Sequence, residues 1–212
     1  MRQITIVIFA VILFFLSSCM PYDSKKYVEE ILKDDILEQA AMNLQESPVT
    51  ITSFIAERSV GDCHDFYSEG DYWWPNPLDL EGPYVRRDGQ TNPENFVAHR
   101  QAMIRFSSIV GNLTSAYLLT KDNRYVENVM EHVRAWFVNE QTCMRPKLQY
   151  AQAIKGITTG RGIGIIDTVH LMEVAQSLYR LEIAGALSKK DIEDTKKWFS
   201  DYLKWMSNHP YG

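Results

Sequence analysis

The sequence is poor in the residues that mark the commoner chemistries. Of 212 residues, three are cysteines and five are histidines. Cys19, Cys63 and Cys143 have no metal-ligand spacing. His64, His99, His132, His170 and His209 stand singly, and no HExxH pattern occurs. No GxSxG string marks a nucleophile elbow. Neither GxGxxG nor GxxxxGK[ST] marks a nucleotide loop. The reading therefore assigns no metal and no cofactor. Basic residues are also short: 22 Lys and Arg against 27 Asp and Glu leave a net charge of −5. No cationic surplus exists to neutralise a phosphate backbone, so nucleic acid is not an expected partner. An anionic ligand needs a local basic cluster.

Long apolar runs are scarce too. The longest, Ile4–Leu16, is interrupted only by Thr5, and Arg2 is the one charge before Asp23. It is short for a membrane span and has the layout of a secretory signal. It ends in Leu16-Ser17-Ser18-Cys19, which resembles a bacterial lipobox. The expectation is a lipoprotein signal over 1–18, a lipidated Cys19 heading a tether over 19–24, and one domain over 25–212. The place is then the bacterial cell envelope, as a periplasmic or outer-membrane lipoprotein held to the membrane only by its anchor. An oxidising compartment permits a Cys63–Cys143 disulfide, and two free thiols are the equal alternative.

What remains is globular in composition, 45% hydrophobic and 12% aromatic. Apolar residues at Val28, Ile31, Leu32, Ile36, Ala40 and Leu44 predict a helix over Lys25–Leu44. The stretch 59–92 is rich in Gly and Pro and reads as loop; a loop of about thirty residues is uncommon unless it is functional. A helix is expected from Asn92 (N-cap) and Pro93 to Thr120, and a second over Arg124–Val138 with Tyr125, Val129, Val133, Trp136 and Phe137 inward. Residues 139–161 read as loop. A third helix is expected over Gly162–Ala184, burying Ile165, Ile166, Val169, Met172, Ala175 and Leu178. A fourth is capped by Ser188 and shows Ile192, Trp198, Phe199, Tyr202 and Trp205. No convincing strand alternation is present. The expected class is all-α: an incomplete α/α toroid of antiparallel helix pairs with long, aromatic-rich loops.

The chemistry is expected in the loops. Five aromatics, Phe66, Tyr67, Tyr72, Trp73 and Trp74, fall within nine residues of a Gly/Pro-bounded loop. Such rings pack on the apolar faces of sugars, or else plug the end of a helical array. Arg86 and Arg87 supply planar forks for carboxylates, unless they are merely solvated or paired with Asp88. The string Tyr150–Gly164 carries Gln152, Lys155 and Arg161 among Gly156, Gly160, Gly162 and Gly164. It reads as backbone approaching a ligand and opening a helix whose N-terminus favours an anion. The candidate substrate-binding set is Tyr72, Trp73, Trp74, Arg86, Arg87, Tyr150, Gln152, Lys155 and Arg161. His64 is a weak catalytic candidate.

These strings together resemble the alginate lyase family of polysaccharide lyases. The resemblance rests on His64–Pro75, Arg86-Arg87-Asp88-Gly89, Asn92–Phe96 with His99-Arg100, Tyr150–Ile154 and Gly160–Asp167. It implies an α/α toroid that cleaves an acidic polysaccharide, alginate or a related polyuronate, by β-elimination. It also implies a catalytic Asn-His motif and a later Tyr with an Arg, downstream of a segment like Asn208-His209-Pro210-Tyr211-Gly212. No Asn-Asn-His string occurs in these 212 residues. The chain is thus expected to be an N-terminal, substrate-binding part with little or no lyase activity of its own. Two other readings share the same features. One is a non-catalytic glycan-binding lipoprotein on a helical scaffold. The other is an α/α-toroid glycoside hydrolase, with Asp65, Glu69 and Asp71 as candidate carboxylates.

Overall fold

A computed structural model describes residues 24–212. The signal sequence and Cys19 lie outside the described residues. The chain divides into two compact units, one ending at Asp35 and the other running from Ile36 to Gly212. Helix α1 (Ser24–Asn43) crosses that division. The helix expected over Lys25–Leu44 is present, and its described residues before Ile36 are solvent-exposed, Ile31 and Leu32 among them.

The larger unit is built on four helices. They are α2 (Ala98–Thr120), α3 (Asn123–Phe137), α4 (Leu171–Ile183) and α5 (Lys189–Asn208). Helix α2 packs against α3 and α4, and α3 packs against α5. Val129, Val133, Trp136 and Phe137 line the buried face of α3, as their helical spacing requires. Phe106 stacks on Trp136 with ring centroids 4.8 Å apart, and Phe137 stacks on Trp198 at 4.2 Å. Ala40, Ile36, Leu37 and Leu44, on and just beyond the C-terminal half of α1, join this core.

The turns between helices follow local chemistry. Lys121 takes a left-handed conformation (φ 60°) and ends α2; Asp122 then caps α3 by accepting the Arg124 N–H at 3.0 Å. Ser188 caps α5 as expected, accepting the Asp191 N–H at 3.1 Å. The Asp191 carboxylate takes the Arg134 fork at 2.8 Å through both oxygens, tying the start of α5 to the end of α3.

Two expected helix starts are corrected. Asn92 and Pro93 do not open α2, which begins at Ala98. Asn92 instead folds on itself, accepting the Glu94 N–H at 3.0 Å, and donates to the Trp73 carbonyl at 2.9 Å. The Asn92 and Asn95 side chains are committed to the Trp73 and Gly70 carbonyls, so this segment holds the neighbouring turn and the helix starts after it. The third expected helix is split. Gly162–Thr168 is 3₁₀, and α4 starts only at Leu171. Three residues per turn shifts the phase, so Ile165, Ile166, Val169, Met172 and Ala175 are exposed. Leu178 is buried as expected, and Leu171, Val174 and Leu181 fill the core with it.

The loops are not structureless, and the fold is predominantly helical with two small sheets. Strand β1 (Tyr67–Glu69) pairs in parallel with β4 (Tyr150–Ala153). Strands β2 (Trp73–Trp74) and β3 (Val85–Arg86) form an antiparallel ribbon. Strands of two to four residues are too short for alternation to register in the sequence. Cys63 is exposed and Cys143 half-buried, and both thiols are free.

Candidate functional site

The site lies where the two small sheets meet α2 and the 3₁₀ segment. It is a cleft of about 500 Å³ lined by Asp71, Tyr72, Trp73, Arg86, Arg100, Gln152, Arg161, Ile163, Ile166 and Asp167. Three guanidinium groups and two carboxylates face it. Arg86 is paired with Asp88 at 2.8 Å, as the sequence allowed, and Arg100 with Asp71, which leaves Arg161 as the lining guanidinium with no carboxylate in ion-pair distance among the described residues.

Each side chain is placed by a local rule. Side chains alternate along a strand, so the register Trp73↔Arg86 and Trp74↔Val85 splits two adjacent pairs. Trp73 and Arg86 face the cleft. Trp74 and Arg87 do not line it; Arg87 lies over the Trp74 ring, 5.0 Å from its centroid. Gly70 allows the close approach behind Trp73, because a Cβ there would meet the Arg161 guanidinium at 2.6 Å and the Trp73 ring at 2.7 Å. Asn95 holds this turn from α2's side, donating to the Gly70 carbonyl at 2.7 Å.

The floor is a buried polar network around Asp167. Its carboxylate accepts from the Ser68 hydroxyl and from the Gln152 amide at 3.1 and 3.2 Å. Arg100 lies 3.5 Å from it and binds Asp71 with both terminal nitrogens, at 3.1 and 2.6 Å. Arg161 donates to the Gln152 carbonyl at 2.7 Å and to its side-chain oxygen at 3.1 Å. Burial and the neighbouring Arg86 both push the Arg161 guanidinium below the ordinary arginine value, against a weaker pull from Asp167.

The glycines of the 160–164 string serve packing rather than a ligand. A Cβ at Gly160 would strike the Gln149 carbonyl at 2.0 Å, and one at Gly164 would strike Ala151 at 2.5 Å. They let the chain wrap closely around β4. The seven-residue 3₁₀ segment that follows is no α-helix N-terminus, so the positive field comes from Arg161 itself.

Of the sequence candidates, Tyr72, Trp73, Arg86, Gln152 and Arg161 come together in the cleft. Tyr150 packs behind Gly61, with the Lys147 ammonium 5.7 Å from its ring centroid. Lys155 lies over Tyr84 and lines a separate cavity of about 430 Å³ with Arg58 and Tyr67. His64 is tied to the Cys143 carbonyl at 2.7 Å and does not line the cleft. Sequence reasoning missed Arg100 and Asp167 as site residues. Both stand inside strings that carried the family resemblance, and no local feature gave them a role.

The three carboxylates considered for hydrolysis are each neutralised by a cation. Asp65 is 3.0 Å from Arg145 and 3.1 Å from Lys147; Glu69 is paired with Arg58, and Asp71 with Arg100. Burial alone would raise the Glu69 carboxyl, but the Arg58 fork and the Phe96 N–H outweigh it and hold it below the ordinary value. A Glu69 carboxyl held low does not suit a proton-donating acid at neutral pH. Among the described residues, no group of His, Cys, Asp and Glu could hold a metal ion.

A sequence profile of the family described as alginate lyase matches residues 50–212. The fold is similar to the crystal structure of an alginate lyase from Bacteroides ovatus, with a TM-score of 0.75 and 32% sequence identity. The match covers 84% of this chain and 48% of that one, so the chain spans about half the length of that structure. No curated protein sequence matches the chain.

Proposed function

The chain belongs to the alginate lyase family, and from that premise we propose that its cleft is one wall of the substrate site of a polysaccharide lyase. The substrate is a uronate polymer, alginate or a related polyuronate. The observation that carries this reading is Arg161: a half-buried guanidinium beside Arg86, bonded to neutral oxygens only, in a cleft flanked by Trp73 and Tyr72. An unspent cation next to exposed ring faces suits a sugar that carries a carboxylate.

In β-elimination a base takes the C5 proton of the uronate. Those electrons form the C4–C5 double bond, the C4–O bond breaks, and the leaving oxygen takes a proton from an acid. A charged carboxylate beside C5 makes that proton barely acidic. A cation on the carboxylate stabilises the enolate-like intermediate, and such preorganised charge is usually the largest contribution. In this chain Arg161 would hold a uronate carboxylate, with the Asp88-paired Arg86 beside it, while Trp73 and Tyr72 pack on the rings. The family resemblance puts the Asn-His and Tyr that move protons outside these residues, so this chain supplies binding and orientation.

On the same reading, α2/α3 and α4/α5 are antiparallel pairs of an incomplete α/α toroid. Cys19 carries a lipid that holds the protein in the bacterial cell envelope. The likeness to the Bacteroides ovatus lyase and the packing of α2 on α4 and α3 on α5 support the first. The lipobox-like string supports the second.

The test is calorimetric titration of the whole chain with an alginate tetramer and with its carboxyl-reduced, neutral counterpart. Tighter binding to the acidic tetramer than to the neutral one is expected, with the acidic affinity weakened at least about tenfold by Arg161→Ala. Equal affinity for both sugars would overturn the reading. Ultraviolet absorbance of the mixture should stay flat, since the double bond is not formed without the proton-transfer groups.

A further inference from the structure

Gln152 is the one non-glycine residue in the cleft with a left-handed backbone, at φ 57°. That conformation is disfavoured for a side chain of its size and persists where the surroundings enforce it. Here they do. Its N–H donates to the Ser68 hydroxyl at 2.8 Å, and its carbonyl takes the Arg161 Nε–H at 2.7 Å. Its side-chain amide is buried between two ions of opposite charge. Nε2 faces the Asp167 carboxylate and Oε1 accepts from the Arg161 guanidinium. A carboxylate only accepts and a guanidinium only donates, so the orientation of the amide is fixed by chemistry.

Asp167 is committed to Ser68, Gln152 and Arg100. Among the described residues, no carboxylate lies within ion-pair distance of Arg161, although Asp167 is only one side chain away. The neutral amide stands between them. It binds both ions and cancels neither.

We infer that Gln152 is a neutral spacer that aims Arg161 while keeping its charge unspent, and that it thereby sets the cleft's preference for an acidic over a neutral sugar. The inference rests on the reading of this cleft as a uronate site. Gln152 is then a positioning residue: its polar atoms are used within the protein, and it acts on the sugar through Arg161. A glutamate in its place has the same shape, offers Arg161 a carboxylate, and puts a like charge where Gln152 donates to Asp167. A glycine accepts the backbone conformation and removes the spacer, leaving Arg161 free to turn to Asp167.

The experiment measures affinity of the whole chain for an alginate tetramer and for its carboxyl-reduced counterpart, over a range of salt. The variants are Gln152→Glu, Gln152→Gly and Arg161→Ala, each checked for folding by circular dichroism and thermal melting. Both Gln152 variants are expected to bind the acidic tetramer about tenfold more weakly, with little change for the neutral one. The fall of affinity with added salt should be shallower in each than in the wild type. The glycine variant carries the test if the glutamate variant does not fold. If Arg161→Ala binds the acidic tetramer as wild type does, the uronate site itself is wrong. If Arg161→Ala loses binding while the folded Gln152 variants keep wild-type affinity and salt slope, the spacer role alone is overturned. Equal losses for acidic and neutral sugars would make Gln152 merely structural and would also overturn it.

Discussion

Trp73 stands directly across the β2–β3 ribbon from Arg86, and the two face the cleft together. Their neighbours Trp74 and Arg87 associate away from it, ring against guanidinium. Two adjacent tryptophans are therefore predicted to behave differently. Trp73→Ala should weaken binding of an alginate tetramer by about 1–2 kcal/mol, roughly tenfold, through lost ring contact. Trp74→Ala should change it less than about twofold, because that ring and its N–H bond to the Gln90 carbonyl serve the loop. Calorimetry on the two variants checks this; equal losses would mean that the ribbon does not present one face to the sugar.

This division also shows how far the sequence could be read. The helices were legible where one face repeats, as at Val129, Val133 and Trp136, and where a cap is local, as at Ser188. The aromatic loop and the Gln152–Arg161 string were legible as chemistry because their residue types are unusual in loops. Which tryptophan faces the cleft was not, because that depends on pairing between Trp73 and Arg86 across a hairpin. Asp167 was illegible for the same reason: its partners Ser68 and Arg100 are distant in sequence and meet it only in the folded chain. The burial of α4 was misread because the preceding 3₁₀ turns changed the phase of the pattern.

The pair Arg58–Glu69 is predicted to be a structural clamp. Arg58 grips the carboxylate at 2.6 and 2.5 Å, and the Tyr67 hydroxyl and Phe96 N–H complete its hydrogen bonds at 2.9 and 2.7 Å. Arg58→Met leaves a buried, uncompensated carboxylate, and should cost about 2–3 kcal/mol in urea denaturation. The Glu69 carboxyl sits below its ordinary value in the folded chain. Its contribution is thus present above the ordinary carboxylate range and is lost as pH falls through the folded value. The variant should show a shallower loss of stability at acid pH than the wild type.

Cys19 is predicted to govern membrane retention. Acyl chains contribute about 0.8 kcal/mol per buried methylene, so losing the only modified thiol removes the anchor outright. Among the described residues, no helix is long and apolar enough to cross a membrane. Expressed from its own signal in a bacterium, the wild-type chain should partition into detergent and incorporate labelled palmitate. Cys19→Ala should do neither. Palmitate incorporation by the variant would remove the lipoprotein proposal.

His99 is predicted to make the fold sensitive to pH well above the carboxylate range. It is buried among Phe54, Phe66 and Phe96, with ring centroids 6.3, 5.9 and 4.8 Å away. Its Nδ1 accepts the Tyr67 N–H at 3.0 Å, so the ring is neutral with its proton on Nε2. Protonating Nδ1 would break that bond at the start of β1. Burial pushes the imidazole down to about 4. In the unfolded chain it titrates near its ordinary value of about 6.5, so between these two values the unfolded state binds more protons. Stability is therefore full above pH ~6.5 and falls by about 3 kcal/mol as pH drops toward 4. Burial lowers His132 as well, so that residue adds to the same slope. Urea midpoints from about pH 7 to 5 isolate the histidines from the carboxylates. Over that range His99→Gln, whose side-chain oxygen can still accept the Tyr67 N–H, should flatten the slope and leave only the part due to His132. An unchanged slope would mean that His99 is already accessible to protons in the folded chain.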